Sequence, residues 1–275
     1  MPDDVGLGDR GLIVRAAREA GALAMHYFRR GDVKAWDKSP GNPVSEADLA
    51  TNALLHDQLL GARPDYGWLS EETADEPVRL GRRRTWVVDP IDGTRDFLRG
   101  RTGWAVSVAL IEDGQPILGV LAAPARDQLF IAERGRGAWC NDVPLAVSGR
   151  TRVGGCSMPI DPPNLTASFW PEPWDAVAVE KPNSLALRIA KVASGEADAF
   201  LEGRTIAEWD IAAAALILTE AGGTVTDRAG QPLTFNRPSP AVRGLVAATP
   251  ALHAEVRRRL DGGLKALAAA RSRPA

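Results

Sequence analysis

Residues 86–98, with the sequence WVVDPIDGTRDFL, constrain this chain more than any other segment. The three apolar residues at its start predict a buried strand. That strand ends in Asp89 and Asp92, and two carboxylates at one sheet edge form an oxygen-rich site for a hard divalent cation. Gly93 and Thr94 follow as a turn at the start of a helix, where backbone N–H groups suit a phosphate group. A cation site beside a phosphate site predicts metal-assisted phosphoryl transfer to water.

The overall composition is typical of a globular protein, and its charge does not favour binding to polyanions. The chain has 275 residues, of which 45% are hydrophobic and 25% are charged, and its net charge is −2. The length suits one large α/β domain or two smaller ones, and the charge does not indicate binding to nucleic acids or acidic membranes. No apolar run approaches the roughly 20 residues of a membrane span. The first ten residues, MPDDVGLGDR, lack an apolar signal core, so we expect a cytoplasmic protein.

The chain has two cysteines, Cys140 and Cys156. Structural thiols in a reducing compartment are the favoured interpretation, and a single disulfide stays open at this point.

Apolar periodicity divides the chain into two halves that together form one catalytic unit. Residues 1–150 predict two helices on a mainly antiparallel sheet, and this half carries the metal site. The predicted helices are 11–28 and 45–60, and the strands are 68–70, 86–88, 105–111, 116–122, 129–133 and 138–140. Ser45 and Asp48 have the spacing of a capping box at the second helix.

Residues 151–275 predict an α/β half that completes the site. The predicted helices are 185–193, 211–220 and 252–260, and the strands are 197–201, 224–226 and 245–248. Residues 159–174 contain five prolines and predict a long loop. The Ala- and Arg-rich residues 265–275 are expected to fray.

Acidic residues recur beside large apolar residues at four positions: Glu71, Asp89, Asp92 and Asp210. Several partly dehydrated carboxylates come together only with a counter-charge, because like charges repel in a poor dielectric. An all-oxygen ligand set favours Mg²⁺ or Mn²⁺ over Zn²⁺. The three histidines, at 26, 56 and 253, show no ligand spacing. Acidic pairs are also ordinary turn residues, and for Glu71 taken alone that is the commoner case; the ordered series favours a site.

With these motifs the chain resembles the inositol monophosphatase superfamily of lithium-sensitive, Mg²⁺-dependent phosphomonoesterases. The matching segments are WVVDPIDGT at 86–94, WDIAAA at 209–214 with EAGG at 220–223, SEE at 70–72 and PVSEAD at 43–48. Their order and spacing agree over roughly residues 10–260. The resemblance implies an α/β fold of five layers, αβαβα, with the site between the two halves, and a homodimer.

The resemblance also implies metal ligands. Glu71, Asp89 and the carbonyl of Ile91 correspond to the ligands of a first metal ion. Asp89, Asp92 and Asp210 correspond to those of a second. Lysine 38 corresponds to a residue near a third, weaker metal site, so the expectation is two or three Mg²⁺ ions, with Mn²⁺ as a substitute.

Catalytic and phosphate-binding roles follow from the same resemblance. Gly93 and Thr94 correspond to the backbone cradle of the phosphate, next to Asp92 and Asp210. Thr94, with Asp48 behind it, corresponds to the pair that orients and deprotonates the attacking water alongside glutamate 71.

The segments that would set substrate choice depart from the inositol-specific pattern. Residues 181–184 read KPNS where the family has Gly-Ser/Thr, with Ser184 available as a helix cap. The segment before Trp209 is one residue longer, so Glu202 does not align with a glutamate that binds sugar hydroxyls. These features resemble bacterial 3′(2′),5′-bisphosphate nucleotidases. Arg204 would then contact a second phosphate, although a solvated surface arginine is an equally good interpretation.

The sequence therefore predicts a small-molecule phosphatase, with no nucleic-acid polymer and no membrane as partner. The favoured reaction removes the 3′-phosphate of 3′-phosphoadenosine 5′-phosphate, with the tryptophans of residues 170–174 as a stacking surface or as packing residues. The alternative substrate is inositol 1-phosphate or a similar polyol phosphate, and fructose 1,6-bisphosphate and histidinol phosphate are further options. A non-catalytic regulatory protein on the same fold is disfavoured, because the acidic residues and Thr94 are all present.

Overall fold

The computed structural model describes residues 8–271. Residues 1–7, most of the segment expected to lack a signal core, lie outside the described part, as do residues 272–275. Within residues 8–271, no helix combines the length and apolar character that a membrane span requires.

Two N-terminal helices pack together on one face of the largest sheet. Helix α1 (Asp9–Arg30) is followed by a hairpin of strands β1 (Ala35–Ser39) and β2 (Asn42–Ser45), and then by α2 (Glu46–Ala62). The predicted capping box at the start of α2 is confirmed, since Asp48 Oδ2 accepts hydrogen bonds from the backbone N and the Oγ of Ser45, at 2.9 and 2.5 Å.

The largest sheet has seven strands in sequence order and is almost entirely antiparallel. Its members are β3 (Gly67–Ser70), β4 (Arg84–Asp92), β5 (Ala105–Glu112), β6 (Gln115–Ala123), β7 (Gln128–Glu133), β8 (Gly137–Cys140) and β9 (Val143–Pro144). Only the pair β3–β4 is parallel. Strands β5 and β6 are joined by a hairpin turn at Asp113-Gly114, with positive φ at both residues. Short 3₁₀ turns lie at Pro77–Gly81 and Pro124–Arg126, and the short helix α3 is Thr94–Leu98.

The second half builds two smaller sheets. Strands β10 (Cys156–Pro159) and β11 (Ala176–Val179) pair in parallel, while β12 (Ala199–Ala207), β14 (Ala241–Ala248) and β13 (Thr224–Asp227) form an antiparallel sheet in that order. The helices are α4 (Pro162–Leu165), α5 (Leu185–Ala193), α6 (Ala212–Glu220) and α7 (Pro250–Arg271).

These elements stack in the five layers αβαβα that the resemblance implied. Helices α1 and α2 cover one face of the seven-stranded sheet, and α5 and α6 cover the other. The sheet of β12–β14 follows, with α7 on its outer side. Strand β4 is buried on both faces, because Trp86 and Val88 pack toward α1 and α2 while Val87 packs toward α5 and α6.

Three predictions of local structure need correction. Helix α7 continues to Arg271, so residues 265–271 are helical where fraying was expected; Gly263 and Leu264 pack against Trp170 and Gly203, which anchors the helix. The proline-rich residues 159–174 include the short helix α4, because prolines suit the first turn of a helix. Strands β10 and β11 were not predicted.

The segment before Trp209, predicted to be one residue longer than in the inositol-specific pattern, contains a β-bulge. Between Glu202 and Thr205, strand β12 takes three steps while its partner β14 takes two, from Leu245 to Arg243. Opposite the bulge, Gly244 has φ +70°. The strand therefore absorbs the insertion, and Glu202 keeps a place in the sheet.

Both cysteines are free thiols. Cys140 is half-buried and Cys156 is buried, and burial raises the pKa of the Cys156 thiol to about 11. A disulfide between them is not formed, in line with the favoured interpretation.

Replacement of Gly119 by alanine tests the close approach of α6 to the large sheet. A Cβ on Gly119 would lie 2.8 Å from the carbonyl oxygen of Ala213, so Gly119→Ala is expected to lower the free energy of unfolding by about 1–3 kcal/mol. The control is Gly61→Ala in α2, where a Cβ meets nothing within 4 Å; it should be neutral or stabilising by up to about 1 kcal/mol. Urea unfolding measures both, and equal effects of the two variants would contradict this packing.

Candidate metal centre

Carboxylates from three separate segments meet at one edge of the large sheet. Because β3 and β4 are parallel, their C-terminal ends lie side by side, and Glu71 and Asp89 come from these ends. Asp210 reaches the same point from the turn before α6. One oxygen from each of the three lies within 4.8 Å of the others. Sequence reasoning named all three.

The electrostatics of this cluster favour a bound cation. The pKa of the Asp89 carboxyl lies well above its ordinary value, first because the group is buried and then because neighbouring carboxylates repel its charge. Burial, followed by the charge of Asp92, likewise raises the pKa of Asp210 well above its ordinary value. The donor set is entirely oxygen, which fits a hard divalent cation such as Mg²⁺ or Mn²⁺.

Asp92 faces the start of helix α5 and is not one of the three clustered carboxylates. Its Oδ2 accepts hydrogen bonds from Ser184 Oγ at 2.5 Å and from the backbone N of Ala186 at 2.8 Å, and its Oδ1 accepts one from Leu185 N at 3.2 Å. Burial raises the pKa of Asp92 to about 6, against the lowering effect of these hydrogen bonds. The structure thus places this expected ligand beside the cluster, fixed by a helix N-terminus.

Thr94 and Asp48 are in contact, as the resemblance implied. Thr94 Oγ1 lies 3.0 Å from Asp48 Oδ1 and 3.0 Å from the carbonyl oxygen of Ile91. The other oxygen of Asp48 is held by Ser45, and burial raises the pKa of Asp48. A threonine hydroxyl has one proton, so when it donates to Asp48 its lone pairs stay available to an incoming water.

Gly93 occupies a position that no other residue fits. Its φ is +96°, and a Cβ there would lie 2.6 Å from the carbonyl oxygen of Gly103 and 2.9 Å from the N of Ser184. The end of β4 therefore passes directly beside the turn that opens α5. This close approach brings Asp92, Thr94 and Ser184 together.

Lys38 supplies positive charge at the rim of the cluster. From the β1–β2 hairpin, its Nζ donates hydrogen bonds to Glu71 Oε1 at 2.8 Å and to Glu72 Oε1 at 2.7 Å. The expected proximity of Lys38 to the acidic residues is thus seen in the structure.

The expected substrate residues lie beside the cluster. Ser184 caps α5 by accepting a hydrogen bond from Leu187 N at 2.9 Å. The Arg204 side chain is 75% exposed and pairs with Glu202, through Nε to Oε1 at 3.1 Å and Nη2 to Oε2 at 2.9 Å. Burial works to raise the pKa of Glu202, but the hydrogen bonds from Arg204 outweigh it and the pKa lies below its ordinary value.

A cavity of about 720 Å³ adjoins these residues. Arg95, which directly follows Thr94, and Asn183, which directly precedes Ser184, both belong to its wall. The wall also contains basic, acidic, aromatic and aliphatic side chains. The basic ones are Lys181, Arg188 and Arg204, the acidic one is Glu202, the aromatic ones include Phe169 and Trp170, and the aliphatic ones include Leu260, Leu264 and Leu267.

Sequence reasoning missed two parts of this cavity. Trp170 lines it, but Trp174 is buried and lies under the guanidinium of Arg259, so only one of the two tryptophans faces the cavity. Arg188 was not singled out, although an arginine among the apolar positions of LALRIAKVA was a visible signal. The part played by α7 had no sequence signal, because the helix is distant along the chain.

Comparison with known proteins gives a consistent set of relatives. The family model described as the inositol monophosphatase family matches residues 10–262. The inositol-1-monophosphatase of Mesorhizobium japonicum is 39% identical over 228 residues, covering 80% of this chain and 85% of that protein. The Nus factor SuhB of Xylella fastidiosa is 34% identical over 235 residues, covering 80% and 82%. The structure of the Thermotoga maritima IMPase matches with a TM-score of 0.78 and 30% identity, covering 92% of this chain and 96% of that one.

The raised pKa values predict that protons compete with a divalent cation. A carboxyl whose pKa rises on folding stabilises the fold at low pH, and this contribution is lost as the pH rises through the folded value, about 6 for Asp92. The metal-free protein should therefore lose stability as the pH rises from about 4, the ordinary pKa of an aspartate, to about 6, and Mg²⁺ should restore it. At about 100 times its Kd, Mg²⁺ is expected to stabilise the protein by about 2.7 kcal/mol at neutral pH, and by much less near pH 5.

Thermal unfolding with and without Mg²⁺ at the two pH values measures this difference, with NaCl at equal ionic strength as the control. Equal shifts at both pH values, or an equal shift with NaCl, would contradict the proton–metal competition.

Proposed function

The chain belongs to the inositol monophosphatase family of phosphatases, and we propose that it hydrolyses a small phosphomonoester with the help of Mg²⁺ held by Glu71, Asp89 and Asp210. The observation that carries the proposal is the meeting of these three carboxylates beside the Thr94–Asp48 contact. One group of residues can hold a cation, and the other can orient a water molecule next to it.

Different residues of the chain have different roles in the proposed hydrolysis. A divalent cation, when bound, supplies positive charge against the phosphate and makes water more acidic. Thr94 donates a hydrogen bond to Asp48 and accepts one from the attacking water, which fixes the direction of attack. Glu71, partly exposed at the rim, receives the proton that water loses. The first N–H groups of α3 have no acceptor within the helix and are directed to the phosphate oxygens.

Within this reaction class we propose 3′-phosphoadenosine 5′-phosphate as substrate, with loss of the 3′-phosphate. The adjoining cavity supports this choice, since four basic side chains and one acidic side chain, Glu202, line it. Phosphate groups pair well with arginine and lysine, and the aromatic faces of Phe169 and Trp170 suit a nucleobase.

Inositol 1-phosphate is the second candidate. It is favoured by the name of the Mesorhizobium japonicum relative and by the place of Glu202 in the cavity wall, where a carboxylate can accept hydrogen bonds from sugar hydroxyls. In the structure this carboxylate is already paired with Arg204, so a polyol would have to displace that contact.

Release of inorganic phosphate distinguishes these substrates. The protein is assayed with Mg²⁺ on 3′-phosphoadenosine 5′-phosphate and on inositol 1-phosphate, with and without Li⁺. A higher kcat/KM for the nucleotide supports the first proposal, and a higher value for the inositol ester supports the second. Hydrolysis of neither, by protein that binds Mg²⁺, would favour a regulatory role of the kind that the name of the Xylella fastidiosa relative indicates. The expected homodimer stays a prediction, which light scattering on the same sample measures.

The Asp210→Asn variant tests the metal ligands. It removes one negative charge from the cluster, so kcat should fall by about 10²-fold or more and Mg²⁺ affinity should weaken. Asp142→Asn is the matched control, because Asp142 lies on the surface with φ +66°, which asparagine tolerates. Full activity of Asp210→Asn would exclude this carboxylate from the reaction.

Thr94→Val tests the orientation of water. Valine keeps the shape and removes the hydroxyl, so kcat should fall by about 10²-fold or more while Mg²⁺ affinity stays the same. Thr94→Ser keeps the hydroxyl and should keep most of the activity. Equal losses in the two variants would show that the hydroxyl is not what matters at this position.

A further inference from the structure

Arg188 is a buried cation in the wall of the cavity, and its hydrogen bonds leave one nitrogen free. The residue is only 6% exposed. Its Nε donates to the carbonyl oxygen of Pro182 at 2.7 Å, and its Nη2 donates to that of Asn183 at 2.9 Å. Within residues 8–271 no protein acceptor bonds to Nη1, and this atom is not sealed from solvent. Arg188 lines the cavity, and Nη1 is the nitrogen that the contacts with its own turn leave unoccupied.

The two carbonyl contacts fix the turn that holds Asp92. In that turn, Asn183 N donates to Asp96 Oδ2 at 3.0 Å, and Ser184 Oγ donates to Asp92 Oδ2 at 2.5 Å. Arg188 also stabilises this turn, because it donates hydrogen bonds to the carbonyl oxygens of residues 182 and 183. The position of Asp92 therefore depends on Arg188 without direct contact between their side chains.

The other three basic residues of the cavity wall already have partners. Arg204 is paired through two nitrogens with Glu202, and Lys181 is paired with Asp161. Arg95 donates a hydrogen bond to the carbonyl oxygen of Gly41. Within residues 8–271, Arg188 alone of the four contacts neither a carboxylate nor an acceptor outside its own turn.

Among the described residues, no carboxylate hydrogen-bonds to this buried guanidinium; the charges of Asp92 and Glu202 act on it from farther away, and it lies 5.8 Å from the centroid of the Phe200 ring. Its burial is thus only partly compensated, and arginine cannot relieve this by losing its proton. An anion that enters the cavity would remove this deficit. The N–H groups of Nη1 suit a phosphate oxygen, because hydrogen bonds between a cationic donor and an anionic acceptor are shorter and stronger than neutral ones.

We propose that Arg188 determines substrate specificity: Nη1 binds a second phosphate group of the substrate, while Nε and Nη2 hold the turn that positions Asp92. The substrate class is a phosphomonoester with a second phosphate, whose remaining part lies against Phe169 and Trp170. This inference rests on the proposed function and shifts the recognition of the second phosphate from Arg204 to Arg188.

Two nucleotides that differ in one phosphate provide the test. Adenosine 3′,5′-bisphosphate and adenosine 3′-monophosphate share the bond to be cleaved, and only the first has the 5′-phosphate. In the wild type, kcat/KM should be at least about tenfold higher for the bisphosphate. Arg188→Gln should bring this ratio close to one through a higher KM for the bisphosphate. It should also lower kcat for both substrates, because the turn is less well held.

Three further variants distinguish the effect of the charge at Arg188 from the effect of its position in the cavity and from a general loss of folding. Arg188→Lys keeps the charge without the planar fork, so it should keep part of the ratio and lose kcat. Arg204→Gln should change the ratio less than Arg188→Gln, because Arg204 is committed to Glu202. Arg257→Gln, on the outer surface of α7, should leave both substrates unaffected. Thermal unfolding of each variant shows whether the fold is kept.

An unchanged ratio in a folded Arg188→Gln variant would overturn the inference and leave the proposed function intact, as would loss of the ratio in Arg204→Gln alone. If the wild type hydrolyses no phosphomonoester, the proposed function is wrong. Calorimetric titration with adenosine 5′-monophosphate then still decides the inference. A Kd at least about tenfold higher in Arg188→Gln supports the phosphate contact, and an equal Kd contradicts it.

Discussion

Mutual repulsion between closely spaced, largely dehydrated carboxylates is the constraint on which the rest of the site depends. Glu71, Asp89 and Asp210 come from three distant segments and are held with their oxygens within 4.8 Å of one another. Such a cluster raises the pKa values of Asp89 and Asp210 and opposes folding at neutral pH unless a cation is present. The fold tolerates this because each carboxylate is fixed by a well-packed element. A cation bound by these carboxylates would therefore also stabilise the fold.

The stacking of the five layers explains how side chains from distant segments come together at one small site. Strand β4 is buried on both faces, and its C-terminal end carries the carboxylates of the site. Helix α5 meets this end with its first N–H groups, and they bind Asp92. The same helix presents Arg188 to the cavity. One short helix thus connects the acidic cluster to the region where the rest of a substrate would lie.

Most of the site could be predicted because its residues are adjacent to clear sequence signals. The acidic residues follow apolar strands, Gly93 marks a tight turn, and the Ser45–Asp48 spacing marks a helix start; all of these are local patterns. The bulge in β12 and the cavity wall around Arg188 depend on contacts between distant segments, whereas Arg204 pairs with Glu202 only two residues away. Periodicity does not contain that information. Helix α7 was predicted too short, because the glycines at 262 and 263 weaken its helical signal, whereas tertiary packing sustains the helix.

The central claim is that Glu71, Asp89 and Asp210 bind a divalent cation. Anomalous diffraction from a crystal soaked in Mn²⁺ tests it most directly, because it locates the ion without reference to activity. The account predicts a peak in contact with oxygens of all three carboxylates, at about 2.0–2.4 Å, the range for hard cations on oxygen ligands. Absence of a peak at these carboxylates in Mn²⁺-saturated crystals, or a peak that excludes Asp89, would contradict it.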